Sequence, residues 1–154
     1  MAHLKGEAKA RYVADMFARI SRRYDRLNTV ITGGMHKRWR RLAATLAADG
    51  LTGHALDVAT GTGEMAFALA RQPGIQSVVG VDFVPEMVAL ARHKARLRNV
   101  SQRVTFARGD ALALPFADGT FACAIAGFTL RNVTDVPAAL AEMVESIKEH
   151  GIIQ

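Results

Sequence analysis

An α/β domain with a doubly wound, Rossmann-like sheet is the fold that the sequence predicts, on three observations. A short apolar run at 55–59 is followed by two glycines and by a helical pattern at 64–72. A second apolar run, at 78–82, ends in Asp82. Two further strand patterns, at 103–107 and 121–128, come after a helical pattern at 85–98 that begins with proline. Such alternation of strands and helices favours a parallel sheet with helices on its faces.

The joint between the first strand and its helix has the composition of a nucleotide-type pocket. Gly61 and Gly63 can take positive φ and let a ligand lie against bare backbone, and the N–H groups of the helix start attract polar or anionic atoms. Asp82 follows Gly61 by 21 residues, the spacing at which an acidic side chain meets ribose hydroxyls. This pattern also fits an NAD-binding domain.

Two carboxylates favour S-adenosylmethionine (SAM) over a dinucleotide, although the NAD-type domain stays open as an alternative. Asp57 lies inside the first strand, where dinucleotide folds usually have an apolar residue. There it can accept a hydrogen bond from the ligand's ammonium group or from the turn. Asp110 follows the third strand, which would put a second carboxylate near an adenine amino group.

Composition predicts one cytoplasmic domain without a metal. The chain has 154 residues, half of them hydrophobic, and it shows neither a membrane-spanning stretch nor the apolar segment of a signal peptide. Its one cysteine, Cys123, is expected to be a small core residue, and its five histidines are scattered without metal-ligand spacing.

Positive charge is concentrated at the N-terminus. Residues 1–49 hold 11 Lys/Arg against 4 Asp/Glu, whereas residues 50–154 hold 9 against 10. We therefore divide the domain into an N-terminal helical lid segment, 1–49, and an α/β part, 50–154. The lid contains two apolar stripes at helical spacing: Val13, Phe17, Ile20, Tyr24 and Leu27, then Met35, Trp39, Leu42 and Leu46.

The basic segment has two interpretations. It is either a solvated helix face over a core or a basic, apolar lid that touches an anionic membrane surface. Nucleic acid is not expected as a partner, because the sequence lacks the signatures of base-methylating enzymes: 127–133 reads GFTLRNV, and Cys123 follows alanine rather than proline.

Several blocks resemble, in order, the C-methyltransferases of menaquinone and ubiquinone biosynthesis. They are MFARISRRYDRLN at 16–28, GMHKRWRR at 34–41, LDVATGTGEMA at 56–66, GDALALPF at 109–116 and LRNVTD at 130–135. The resemblance implies methyl transfer from SAM to a ring carbon of a polyprenylated, lipid-like quinol, either demethylmenaquinol or the ubiquinol-pathway benzoquinol. Together with the composition and the basic N-terminal segment, this substrate predicts a cytoplasmic protein that is peripheral to the inner membrane surface if its basic helices bind there.

The resemblance also implies which residues contact SAM. Carried over by position, these contacts fall on Thr62, Asp82, Asp110 and Ala111, in agreement with the pocket inferred from spacing. Further contacts are expected from the residues themselves: SAM would approach the backbone at Gly61, Gly63 and Gly127, and its methionine end would face Asp57. Phe83 and Met87 would either pack against adenine or lie in the core.

Methylation of an aromatic carbon adds a requirement on the acceptor side. The carbon attacks well only when a neighbouring phenol is at least partly deprotonated, so a base or a base-positioned water is needed. Arg131 is the candidate to hold a quinolate oxygen or to orient that water, and Asn132 would share the role. Tyr24 and Asp25 are expected to close over the cofactor.

The C-terminal region predicts an incomplete sheet. A helical pattern at 136–150 leaves only 151–154 to begin a fifth strand, so C-terminal strands would be missing and the fourth strand would have an unpaired edge. The chain would then be a fragment, a homodimer in which a second copy covers that edge, or a short paralogue. The alternative functions are accordingly a noncatalytic SAM-binding module and a methyltransferase for another hydrophobic small molecule.

Overall fold

The computed structural model describes residues 34–127 and 133–153, together with four helical positions nearer the N-terminus, Tyr12, Asp15, Met16 and Arg19. The helices are α1 (Met35–Ala48), α2 (Glu64–Leu69), α3 (Pro85–Leu97) and α4 (Val136–Ser146). The strands are β1 (Gly53–Val58), β2 (Ile75–Asp82), β3 (Val104–Arg108), β4 (Phe121–Ala126) and β5 (Ile147–Ile153).

The five strands form one parallel sheet in the order β3-β2-β1-β4-β5. The direction in which the chain adds strands reverses at β1, and in sheets of this kind ligands bind beyond the carboxyl ends of the strands at such a point. Val58 at the end of β1 pairs with Val81 and with Ala126. The central strands therefore end at one level, and the predicted doubly wound fold is confirmed.

The core lies on both faces of the sheet. One cluster joins α1, α2 and α3 to strand residues such as Val78 and Cys123, so Cys123 is a core residue as predicted. Burial raises the pKa of its thiol to about 11, which keeps it protonated at neutral pH. The second cluster joins Met143 of α4 to Leu56 and Phe121 on the opposite face.

Helix α1 packs through small residues. Ala44, Ala47 and Ala48 are buried in the main core, and their short side chains let the helix approach the sheet closely. The larger apolar residues of the predicted stripe point elsewhere, with exposed fractions of 45–59%: Met35, Trp39, Leu42 and Leu46. We call these four residues the apolar stripe. None of the described helices combines the length and apolar content that crossing a bilayer requires.

The prediction for the C-terminal region was wrong in one respect. Helix α4 ends at Ser146, and the following residues form β5, parallel to β4. The Ser146 hydroxyl donates to the Met143 carbonyl at 2.8 Å, which satisfies an acceptor at the helix end. Ile147 fits the helical spacing of Met143 equally well, and for that reason the pattern did not mark the boundary. The predicted unpaired edge of β4 is thus covered by β5, and the structural reason for a homodimer at that edge is removed.

Candidate functional site

The glycine turn, residues 59–63, joins β1 to α2 at the carboxyl edge of the sheet. Gly61 and Gly63 have φ of 55° and 83°, and Ala59 also has a positive φ, 53°. The turn is fixed to the neighbouring strand, because the Thr60 N–H donates to the Val81 carbonyl at 2.9 Å. It is also closed on itself by a 3.0 Å bond from the Gly63 N–H to the Thr60 carbonyl.

Asp57 holds this turn from beneath. Its Oδ2 accepts from the Thr60 hydroxyl at 2.5 Å and from the Ala66 N–H at 2.9 Å. Ala66 is the third residue of α2, so Asp57 caps a helix whose N-cap, Gly63, has no side chain to do so. Burial raises the pKa of Asp57 to about 7, although both hydrogen bonds act in the opposite direction. The sequence allowed Asp57 to accept a hydrogen bond either from the ligand's ammonium group or from the turn, and the structure contains the bond to the turn.

Asp82 links the glycine turn to the start of α3. Its Oδ2 accepts from the Gly61 N–H at 2.7 Å, and its Oδ1 accepts from the Val84 N–H at 2.9 Å. The side chain is mostly buried, and this burial raises its pKa while the two backbone bonds lower it. Each carboxylate oxygen has a second lone pair, so the group can still accept from hydroxyls of a ligand.

The two glycines of the turn differ in the space around the position that a Cβ atom would take. A Cβ on Gly63 would lie 2.6 Å from Cζ of Phe106 and 3.1 Å from Cε2 of Phe67, so this position is closed by the core. A Cβ on Gly61 would meet nothing within 4 Å. Gly61 therefore borders free space beside Asp82, which leaves room for a ligand to lie against its backbone.

Two residues that support the turn were not singled out from the sequence. Gly80 lies inside β2, where a Cβ would come within 2.5 Å of Phe106 Cδ1 and 2.8 Å of Thr60 Oγ1. A glycine inside an apolar strand is a recognised signal of close approach and could have indicated this contact. Thr60 gave no such signal, because its role depends on β2 and Asp57 lying beside it.

A charged cluster fixes the turn from the outside. Glu64 Oε1 accepts from Lys94 Nζ and from Arg98 Nη2, both at 2.6 Å, and Lys94 also donates to the Thr62 carbonyl at 3.3 Å. The Arg98 guanidinium lies 4.2 Å from the ring centroid of Phe67. Burial tends to raise the pKa of Glu64, but the bonds and charges of Lys94 and Arg98 outweigh it and hold that pKa below its ordinary value.

The predicted adenine contacts differ in accessibility. Phe83 is 41% exposed beside Asp82, with the Arg108 guanidinium 5.8 Å from its ring centroid. Met87 is 2% exposed and lies in the protein interior, which agrees with the core position that the sequence left open. Thr62 is also 2% exposed, so little of this residue is accessible to a ligand.

The remaining predicted positions lie at the ends of β3 and β4. Asp110 is exposed, and its Oδ1 accepts from the Leu112 N–H at 3.0 Å, while half-buried Ala111 packs against the α4 side of the core. Gly127 is half-buried, and a Cβ there would lie 3.2 Å from Cε of Met65. The predicted catalytic residues Arg131, Asn132, Tyr24 and Asp25 lie outside the described residues.

A doubly wound sheet with a glycine turn and an acidic residue ending β2 defines a nucleotide-type binding domain. The chain belongs to the ubiE/COQ5 methyltransferase family, whose model matches residues 5–154, and the resemblance seen in the sequence is thereby confirmed. A demethylmenaquinone methyltransferase of Roseiflexus sp. (strain RS-1) is 45% identical over 89% of this chain and 56% of its own length. A ubiquinone/menaquinone biosynthesis C-methyltransferase of Citrifermentans bemidjiense is 40% identical over 94% of this chain and 62% of its own.

The chain thus spans little more than half the length of these curated relatives. Among solved structures, the [4+2]-cyclase SpnF is similar, with a TM-score of 0.69 and 31% identity over 76% of this chain and 43% of that one. A cyclase on this fold illustrates that the sheet alone does not determine the reaction.

Proposed function

We propose that this chain is the SAM-binding part of an enzyme that transfers a methyl group from SAM to a ring carbon of a polyprenylated quinol. The observation that carries the cofactor proposal is the position of Asp82, which is bonded to the Gly61 N–H beside open space over that glycine. The quinol is supported by relatives that bear the names of quinone-pathway C-methyltransferases.

The described residues suit SAM in chemistry. The second lone pairs of Asp82 would accept from the ribose hydroxyls, and the bare backbone of Gly61 would let the ligand approach. The exposed ring of Phe83 offers a surface for adenine, with Asp110 as a further acceptor for its amino group. Asp57 would act indirectly, because its bonds to Thr60 and Ala66 set the shape of the turn.

When bound, SAM supplies an electrophilic methyl group, and the protein must place a nucleophilic carbon in line with it. Such placement can lower the activation free energy by roughly 7–11 kcal/mol in favourable systems. Arg131 is proposed to hold the quinolate oxygen or to orient a basic water, since a guanidinium is itself a poor base. Asn132 would assist it, and Tyr24 and Asp25 would close over the cofactor.

A lipid-like substrate also favours contact with a membrane. Trp39 and Leu42 belong to an apolar stripe that is exposed on a helix rich in arginine and lysine. Basic helices with an exposed apolar face bind anionic bilayers at the interface without spanning them. We therefore include a peripheral interaction with an anionic membrane in the proposal.

Methyl transfer from SAM to detergent-dispersed, reduced demethylmenaquinone tests the proposed function. The expected result is a C-methylated ring, formed faster with the prenylated quinol than with a soluble phenol of the same ring. Turnover that prefers the soluble phenol would indicate another small-molecule acceptor. Cofactor binding without any turnover would favour a fragment or a noncatalytic SAM-binding module and would contradict catalysis by the 154-residue chain alone.

A further inference from the structure

A cleft of about 480 Å³ lies between α1 and α2 and extends to the C-terminal end of α3. Neither Gly61 nor Asp82 lines it, so the cleft does not belong to the site at the glycine turn. Its walls carry one carboxylate, Glu64, and five cationic side chains: Lys37, Arg40, Arg41, Arg71 and Arg98. We call this cavity the basic cleft.

The cations that α1 contributes to the basic cleft lie on the inner side of that helix. At about 100° per residue, Lys37, Arg40 and Arg41 fall on the side of the buried alanines, and the apolar stripe lies on the opposite side. Charged residues of a surface helix usually occupy the face that points away from the core. Here they face α2, beyond whose end Arg71 adds a further charge, so cations from different helices converge on one cavity.

Few negative groups compensate the charges of the basic cleft. Glu64 Oε1 is already shared by two cations, Lys94 and Arg98, each at 2.6 Å. Among the side chains that the structure describes, no carboxylate forms an ion pair with three of the lining cations: Lys37, Arg41 and Arg71. An anion in the cleft would therefore relieve the repulsion between positive charges that face the same cavity.

The composition of the basic cleft indicates the class of anion. Four of its five cations are arginines, whose planar guanidinium groups donate paired hydrogen bonds to phosphate oxygens. One phosphate group carries a charge of about −1.5 to −2 at neutral pH, so it would leave part of the positive charge uncompensated. Two or three linked phosphate groups match the excess better. A nucleic acid strand is a poorer match, because it requires cations along an extended groove rather than around one cavity.

We propose that the basic cleft binds a compact di- or triphosphate anion, either inorganic or as the phosphate end of a nucleotide. The inference goes beyond methyl transfer and uses none of the proposed SAM contacts, since Asp82 and Gly61 lie outside the cleft. The cleft and the glycine turn are neighbours only through Glu64, the residue that follows Gly63.

Calorimetric titration of the 154-residue chain with inorganic pyrophosphate, in a buffer free of divalent cations, tests the site. Adenosine triphosphate and inorganic phosphate are titrated at the same ionic strength. We expect one site that binds pyrophosphate or adenosine triphosphate at least about tenfold more tightly than phosphate, because additional charge-assisted hydrogen bonds form. Tighter binding of adenosine triphosphate would identify a nucleotide as the ligand, and tighter binding of pyrophosphate would identify the free anion. Saturation with S-adenosylhomocysteine should leave the site open.

A pair of single-charge variants separates a built site from general attraction. Arg41→Gln removes a cation from the basic cleft, whereas Arg96→Gln removes an exposed cation of α3 that does not line it. Arg41→Gln should weaken pyrophosphate binding about fivefold, and Arg96→Gln should weaken it by less than about twofold. Without pyrophosphate, Arg41→Gln should melt no lower than the parent, because it removes repulsion and breaks no ion pair. A merely structural arginine would instead lower the melting temperature when replaced.

Four results would overturn the proposal. They are the absence of binding by both pyrophosphate and adenosine triphosphate, equal losses from Arg41→Gln and Arg96→Gln, displacement of pyrophosphate by S-adenosylhomocysteine, and its displacement by a lower concentration of a short RNA strand without terminal phosphates. Binding of pyrophosphate without binding of S-adenosylhomocysteine would contradict the proposed cofactor site alone. The reverse result would contradict the basic cleft alone.

Discussion

Replacement of Gly63 by alanine tests whether the glycine turn is held by close packing. The new Cβ would lie 2.6 Å and 2.9 Å from two ring atoms of Phe106 and 3.1 Å from Phe67. Phe106 is 5% exposed and meets Phe67 edge to face, with ring centroids 5.7 Å apart. Its ring also passes within 2.5 Å of the Cβ position of Gly80, so it has little room in which to move.

Gly63→Ala should lower the free energy of unfolding through two effects that add. Overpacking of a core typically costs about 1–3 kcal/mol. The φ of 83° adds a strain of about 1–2 kcal/mol for a residue with a Cβ. The sum is about 2–5 kcal/mol, and in a domain of this size each kcal/mol lowers the melting temperature by about 2–4 °C.

Gly61→Ala is the matched control. Its φ of 55° carries a similar strain, but its Cβ meets no atom within 4 Å. Urea unfolding followed by circular dichroism should therefore find Gly63→Ala less stable than Gly61→Ala by at least about 1 kcal/mol, the lower limit of the overpacking cost. The order should reverse for ligand binding, since the methyl group of Gly61→Ala occupies the proposed ligand space. Equal losses of stability would refute the packing argument.

Two further predictions concern carboxylates. Folding raises the pKa of Asp57 from 3.8 to about 7, so the folded state retains a proton that the unfolded chain releases and stability falls as pH rises through that window. At about 1.4 kcal/mol per pKa unit, the loss between about pH 5 and pH 8 is roughly 2–3 kcal/mol. Urea titrations should find this slope much reduced in Asp57→Asn, and an unchanged slope would contradict the assignment. Glu64→Gln should cost about 1–3 kcal/mol at neutral pH, because Lys94 and Arg98 lose their shared partner. This difference should shrink in acid, where Glu64 itself is protonated, while Asp118→Asn, an exposed loop control, should stay within about 0.5 kcal/mol of the parent at both pH values. Equal effects of Glu64→Gln and Asp118→Asn would rule out the cluster as a stabilising element.

The parts of the site that the sequence predicted depend on local patterns. The strand, the glycine turn, the helix and Asp82 at the end of β2 follow from residue spacing within a short segment, and the structure brings Asp82 to Gly61 as that spacing requires. Lys94 and Arg98 were not predicted as supports of the turn. Their contact with Glu64 arises only when α3 packs beside α2, which no local pattern encodes.

The buried face of helix α1 and the starting point of strand β5 were missed for different reasons. The pattern of large apolar residues on α1 attracts notice, but the alanines form its buried face because they allow a closer approach to the sheet. At the C-terminus, Ile147 continues the helical spacing of α4 and also suits the first position of a strand. Pairing with β4 decides between the two, and that pairing is a long-range interaction.

Calorimetric titration of the 154-residue chain with S-adenosylhomocysteine, repeated on Asp82→Ala, tests the central claim most directly. We predict one binding site in the parent chain. Asp82→Ala should bind at least tenfold more weakly, a loss of about 1.4 kcal/mol, because the ribose hydroxyls lose their acceptor. Thermal melting of the same samples would show whether the variant is folded. Undetectable binding by the parent chain, or unchanged affinity in a folded Asp82→Ala variant, would contradict the proposed SAM site.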